Sequence, residues 1–171
     1  MKSTYNQLLL KTLVDLYNLL VLYDIDFYLN AYPIIKKYGV TVTSFIPTGL
    51  VGSPAYMTWS QIEEINRDGL VHFEAHSVTH PNLNGLPLEE VRVEIAQSKS
   101  DLEKHTGKIV NWFAYPYGKY RDVVVKEVQL SGFVGAVTTV DGVYQSPDEL
   151  YTLKRRSVDN IARLETFKAK L

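Results

Sequence analysis

The chain predicts an α/β fold built on a mainly parallel sheet that could close as a barrel, and three observations carry that expectation. Short β-branched and apolar runs (residues 40–46, 70–73, 109–115 and 133–140) alternate with stretches of helical periodicity (27–38, 58–68, 88–106 and 121–130). Glycine closes the helical stretches at Gly39, Gly69, Gly107 and Gly132. Asp24, His76 and Tyr117 each follow a predicted strand, where ligands sit in folds of this kind.

Taken in order, Leu9, Leu13, Leu16 and Leu20 recur at spacings of three and four, which predicts an amphipathic helix over 8–20, while 19–23 reads equally well as a strand. Asp26 is placed to cap a helix over 27–38, and Pro33 within it requires a break or a late start. The strand over 40–46 runs into a loop at 47–53. Thr58 or Ser60 caps the next helix, and Gly69 leads into the strand before the histidines. Val91, Ile95 and Leu102 mark the buried stripe of the longest helix, 88–106. The strand 109–115 ends in Pro116-Tyr117-Gly118, and the helix 121–130 and strands 133–140 and 151–158 complete the set.

With 171 residues the chain fits a single domain, 1–171, with room for a substantial core. Its 46% apolar and 22% charged residues are those of an ordinary globular protein. Lysine and arginine number 18 against 19 acidic residues, a net charge of −1 with no long run of either sign, so no nucleic-acid partner is expected. The leucine-rich start is broken by Lys11, Asp15 and Asn18, which predicts neither a signal peptide nor a membrane span and leaves the compartment undetermined. The chain has no cysteine, which excludes disulfides, thiolate catalysis and sulfur-held zinc; any metal must be held by imidazole and carboxylate.

The stretch 73–81, Phe-Glu-Ala-His-Ser-Val-Thr-His-Pro, is the strongest candidate for such a site. On a turn or helix opening after a strand, His76 and His80 would lie on one face and close on one ion. Ser77 and Thr79 can hydrogen-bond the backbone and fix the turn, and Pro81 limits how the chain continues. Alone, a His-x-x-x-His pair is more often a plain surface loop. His72 is expected in the core or just behind the site, and His105 in solvent.

Several stretches, in order from about 26 to 158, resemble the polysaccharide deacetylases with a NodB-type domain, carbohydrate esterase family 4. They are Tyr-Gly-Val-Thr-Val-Thr-Ser-Phe at 38–45, Met57-Thr58-Trp59, Ala-His-Ser-Val-Thr-His-Pro at 75–81, Phe-Ala-Tyr-Pro-Tyr-Gly at 113–118 and the region of Arg156. The resemblance implies a distorted (β/α) barrel with fewer strands than the regular kind. It implies a divalent metal, zinc with cobalt or nickel as substitutes, held by one aspartate together with His76 and His80. It further implies removal of N-acetyl groups from an N-acetylglucosamine polymer such as poly-N-acetylglucosamine, peptidoglycan or a chitin-like oligomer. The metal would polarise the acetamide carbonyl and acidify a water, a carboxylate would take the proton, and a backbone N–H at Tyr117 would bind the oxyanion. Family members are often exported or found at the cell surface.

The departures matter as much. The family's Thr-Phe-Asp-Asp-Gly motif is absent, and the nearest string is Leu22-Tyr23-Asp24-Ile25-Asp26. Aligned without gaps from Asn30-Ala31-Tyr32-Pro33, Val21 and Leu22 stand where the two aspartates belong; a short deletion brings Asp24 onto the first. On a strand Asp24 and Asp26 would share a face, and Asp24 is the candidate for both metal ligand and catalytic carboxylate. Ala114 stands where the family often has arginine, and no late histidine is present to act as a general acid. The atypical start, 1–22, matches nothing in the family, which implies a barrel truncated or rearranged at its N-terminus. Two other readings stand beside deacetylation: an impaired deacetylase-like domain that binds glycan, and a metal-dependent esterase or deacylase of small substrates. Trp112, Tyr115 and Tyr120 could stack on sugar rings, but only Tyr117 is assigned to the site.

Overall fold

The strands line up in the order in which they occur in the chain. The computed structural model describes residues 24–142 and 146–155 and the backbone of 19–20. Among these, β1 (Leu19–Leu20), β2 (Val42–Ile46), β3 (Val71–Ala75), β4 (Trp112–Ala114) and β5 (Gly135–Val137) form one all-parallel sheet. Strand neighbours that are also sequence neighbours wind in one direction, as in (β/α) barrels, whereas a doubly wound sheet reverses. Leu153 adds a parallel bridge to Val137 beyond β5.

Both faces of the sheet are largely buried, and each carries its own apolar cluster. Val42, Ile46, Val71, Phe73, Ala75, Phe113 and Ala136 pack beneath the helices, while Phe45, Ala114, Val137 and Leu153 form a smaller cluster on the other side. Glu74 lies beside Phe45 in register and is buried with it.

Four helices cover the larger core: α1 (Tyr32–Tyr38), α2 (Trp59–Asp68), α3 (Leu88–Thr106) and α4 (Asp122–Leu130). Thr58 and Gln61 close a capping box at the start of α2, and left-handed Gly39, Gly69 and Gly107 end α1, α2 and α3. In α3, Val91, Ile95, Ser98 and Leu102 form the buried stripe. Pro33 gives α1 its late start. The turn before it, Phe27–Ala31, is a π-helix in which the Tyr32 N–H donates to Phe27 O.

Several expectations are corrected. Asp24, rather than Asp26, caps the first helix: the Phe27 N–H donates to Asp24 Oδ1 at 3.1 Å, while Asp26 is exposed within the helix with Asn30 Nδ2 donating to its Oδ1. Because Ile25 and Asp26 are already helical, the two aspartates do not share a strand face. Leu19 and Leu20 are β-strand, and the remainder of the predicted N-terminal helix lies outside the described residues. The expected strand over 151–158 is a single bridge at Leu153, its residues from 156 on also lying outside them. His72 is exposed, since it sits at the opening of β3 on the face away from the helices. His105 is not free in solvent: it stacks on Trp59 at 3.9 Å and its Nδ1 lies 2.9 Å from Glu63 Oε1. No helix among the described residues is long and apolar enough to cross a membrane.

Candidate metal centre

The alternation of β3 that turns Glu74 away from the helices turns His76 the same way, one residue past the strand's end. The His76 N–H donates to Ile46 O at 3.1 Å and carries the ladder one step further. Its ring is buried, and Nδ1 lies 2.7 Å from Ala114 O on β4. A carbonyl only accepts, so Nδ1 holds the proton and Nε2 keeps its lone pair. That Nε2 lies 3.0 Å from His80 Nε2, with the two rings at 66° and centroids 4.6 Å apart.

This separation suits a metal. Nitrogens about 2.0–2.1 Å from one ion lie about 2.9 Å apart at a right angle and about 3.4 Å at the tetrahedral angle. Burial holds the His76 imidazole down at about 3, helped by the charges of His80 and Arg155 and opposed by the Ala114 carbonyl. Burial lowers His80 as well, so both rings tend toward the neutral, ligating form.

The pair does not meet across a helix face. Ser77 and His80 are left-handed, with φ of 66° and 59°, and the loop doubles back to bring the rings together. The Thr48 N–H donates to Ser77 O, the Gly49 N–H to Val78 O and the His80 N–H to Ser77 Oγ. A Cβ at Gly49 would stand 2.8 Å from Val78 Cγ1 and 3.0 Å from Val78 O, so only glycine lets the loop after β2 lie this close.

Tyr117 joins the site from β4. Its ring lies 4.7 Å from that of His80, and 58% of the residue is exposed. Its φ of 58° is followed by 67° at Gly118, where an added Cβ would sit 2.0 Å from Thr139 Oγ1 and 2.6 Å from Thr139 N. Gly118→Ala is therefore expected to destabilise the fold by about 2 kcal/mol or more and to displace Tyr117; a thermal midpoint within a degree of the wild type would contradict this.

The structure thus brings together His76, His80 and Tyr117. Asp24 lies at the same carboxyl edge of the sheet, bridged to Tyr56 in the loop after β2, with one carboxylate oxygen on the helix start. Among the described residues no group of three His, Cys, Asp or Glu is placed to hold a metal. Tyr115 is buried, which removes it as a sugar platform.

Sequence reasoning missed three residues. Arg155 sits near His76 with Nε donating to Thr138 O at 2.6 Å. Glu74 accepts from the Asn111 and Trp112 N–H groups at 2.8 and 2.7 Å. Its signal was present, a charge inside an apolar strand. Glu94 accepts from the histidine loop, and one position from the buried stripe it reads as an ordinary helix flank.

The family model described as polysaccharide deacetylase matches residues 22–136. YxkH of Bacillus subtilis is 31% identical over 130 residues, 76% of this chain and 46% of that protein. A poly-beta-1,6-N-acetyl-D-glucosamine N-deacetylase of Staphylococcus aureus is 30% identical over 122 residues, 64% of this chain and 42% of that protein. The chain therefore spans less than half the length of these curated relatives. Among solved structures, the Streptococcus pyogenes deacetylase PplD in complex with acetate superposes with a TM-score of 0.81 at 31% identity, covering 86% of this chain and 66% of that one. BA3943 of Bacillus anthracis, a pseudoenzyme of the same carbohydrate esterase family, gives 0.60 at 28% identity over 71% and 41%. Sequence match and barrel-type sheet agree, and the chain belongs to the polysaccharide deacetylase family of NodB-type carbohydrate esterases.

Proposed function

We propose that this domain removes N-acetyl groups from an N-acetylglucosamine-containing polysaccharide, using a divalent metal held by His76 and His80. The observation that carries the reading is the convergence of two Nε2 atoms, 3.0 Å apart, beside the Tyr117 turn at the carboxyl edge of the sheet. The N-deacetylase relative from Staphylococcus aureus supports the substrate class. Held there, zinc, or cobalt or nickel in its place, would supply Lewis acidity toward the acetamide carbonyl and the attacking water. Ala114 O fixes the tautomer of His76, the loop fixes His80, and the Tyr117 N–H receives the charge that develops on the acyl oxygen. Asp24 is the carboxylate assigned to complete the donor set and take the proton, a role that requires it to turn from the Phe27 cap toward the histidines, since among the described residues no Asp or Glu already stands with them as a third ligand.

The Asp24 role has a clean test. Asparagine caps helices about as well as aspartate, so Asp24→Asn keeps the Phe27 contact and removes only the charge. It is expected to cut acetate release about tenfold or more at an unchanged melting temperature, with Asp26→Asn near wild type. Equal, small effects would remove Asp24 from the chemistry.

The position of Asp24 also favours a second reading, an impaired domain that binds glycan or metal without turnover, because its Oδ1 is engaged as a cap. Metal content and acetate release, measured together on N-acetylglucosamine oligomers with zinc, cobalt or nickel added, separate the two. Bound metal with acetate establishes the enzyme, bound metal without acetate favours the impaired domain, and absence of metal refutes the histidine site.

A further inference from the structure

We infer that Glu94 is the positioning residue that holds the loop between His76 and His80 in the shape that brings their Nε2 atoms together; the inference rests on those histidines being the metal pair. Left-handed Ser77 and His80 make this a conformation that survives only where its surroundings impose it. Glu94, half-buried midway along α3, imposes it from one side. Its Oε2 accepts from the Val78 N–H at 2.8 Å and the Thr79 N–H at 2.9 Å, and its Oε1 from the Thr79 hydroxyl at 2.6 Å.

These three bonds to one carboxyl group grip the two backbone N–H groups midway between the candidate ligands. From the other side the Thr48 and Gly49 N–H groups bind Ser77 O and Val78 O, so the loop is held by its donors and its acceptors at once. Seven residues further along α3, Asp101 Oδ2 accepts from Thr48 Oγ1 at 2.9 Å. One helix thereby fixes the loops after β2 and β3 relative to each other. Neither carboxylate reaches substrate or metal in this role; Glu94 acts through His80.

The test pairs amide hydrogen exchange of the metal-free protein with titration by cobalt ion, read from its visible absorption. Glu94→Ala is expected to lose protection at the Val78 and Thr79 amides while the Ile95 and Phe45 amides keep theirs, and to bind cobalt about tenfold more weakly or worse. Glu94→Gln, which keeps an acceptor oxygen in place, should recover most of both. A purely structural Glu94 would lower the melting temperature yet leave cobalt affinity of the folded protein unchanged, and that result overturns the inference. Should Glu94→Ala not fold, Thr79→Ala removes the hydroxyl arm alone and serves in the same comparison. If the wild type binds no cobalt, the metal reading fails, and exchange alone decides the clamp: unchanged protection at Val78 and Thr79 in Glu94→Ala refutes it.

Discussion

His80→Ala is expected to strip the purified protein of stoichiometric zinc and of all acetate release. Of the proposed ligands only His76 and the Asp24 carboxylate would remain, one short of the three protein ligands with which catalytic zinc is normally held. His80 is a cleaner target than His76. His76 Nδ1 meets Ala114 O in the buried interior, and its removal leaves that carbonyl unsatisfied at a cost of about 1–3 kcal/mol, which confuses a lost ligand with a weakened fold. His80 is only partly buried, so its removal is gentler. Its left-handed backbone is the remaining complication, since alanine adopts that conformation poorly. His80→Asn is the matching control, because asparagine tolerates the left-handed region and lacks the imidazole. Both variants should be metal-free and folded; zinc retained at one equivalent in either would show that the site lies elsewhere.

The fold was readable because its punctuation is local. Gly39, Gly69 and Gly107 end helices at the predicted residues, and the Thr58-x-x-Gln61 box opens one, because each depends on a few adjacent backbone groups. Strand lengths were overestimated. The apolar run over 109–115 yields only Trp112–Ala114 as strand, because apolar residues continue past its ends: Val110 and Tyr115 are both buried, although only Tyr115 still hydrogen-bonds the neighbouring strand, at Val137 O. The spacing of His76 and His80 was legible, but the means by which they meet was not, since two left-handed residues and a carboxylate from α3 lie beyond any periodicity. Asp24 and Asp26 show the limit most plainly. Either fits a cap before an apolar helix, and only the register of the Phe27 N–H decides between them.

Glu74 gives the second large effect, a loss of stability as pH rises from 4.5 to about 8. Burial pushes its carboxyl up from 4.5 to about 8, against the Asn111 and Trp112 N–H groups and the charge of Lys99 that favour ionisation, while Glu103 adds to the rise. A folded-state value above the unfolded one means that the native protein keeps a proton the unfolded chain has released. The stabilisation is therefore complete below pH 4.5 and is lost as pH rises through about 8. His76 runs in the opposite sense: its depressed value makes the fold lose stability as pH falls from 6.5 toward 3. The two overlap only below pH 6.5, where the unfolded chain's histidine begins to charge, so the interval from 6.5 to 8 reports Glu74 alone of the pair. There, denaturant unfolding of the metal-free protein should show stability falling by up to about 1.4 kcal/mol per pH unit. Glu74→Gln, whose amide oxygen can still accept from Asn111 and Trp112, should remove that slope. A wild-type profile as flat as that of the glutamine variant would mean that Glu74 is ionised in the native state, held by those two donors and Lys99 as a buried anion two residues from His76.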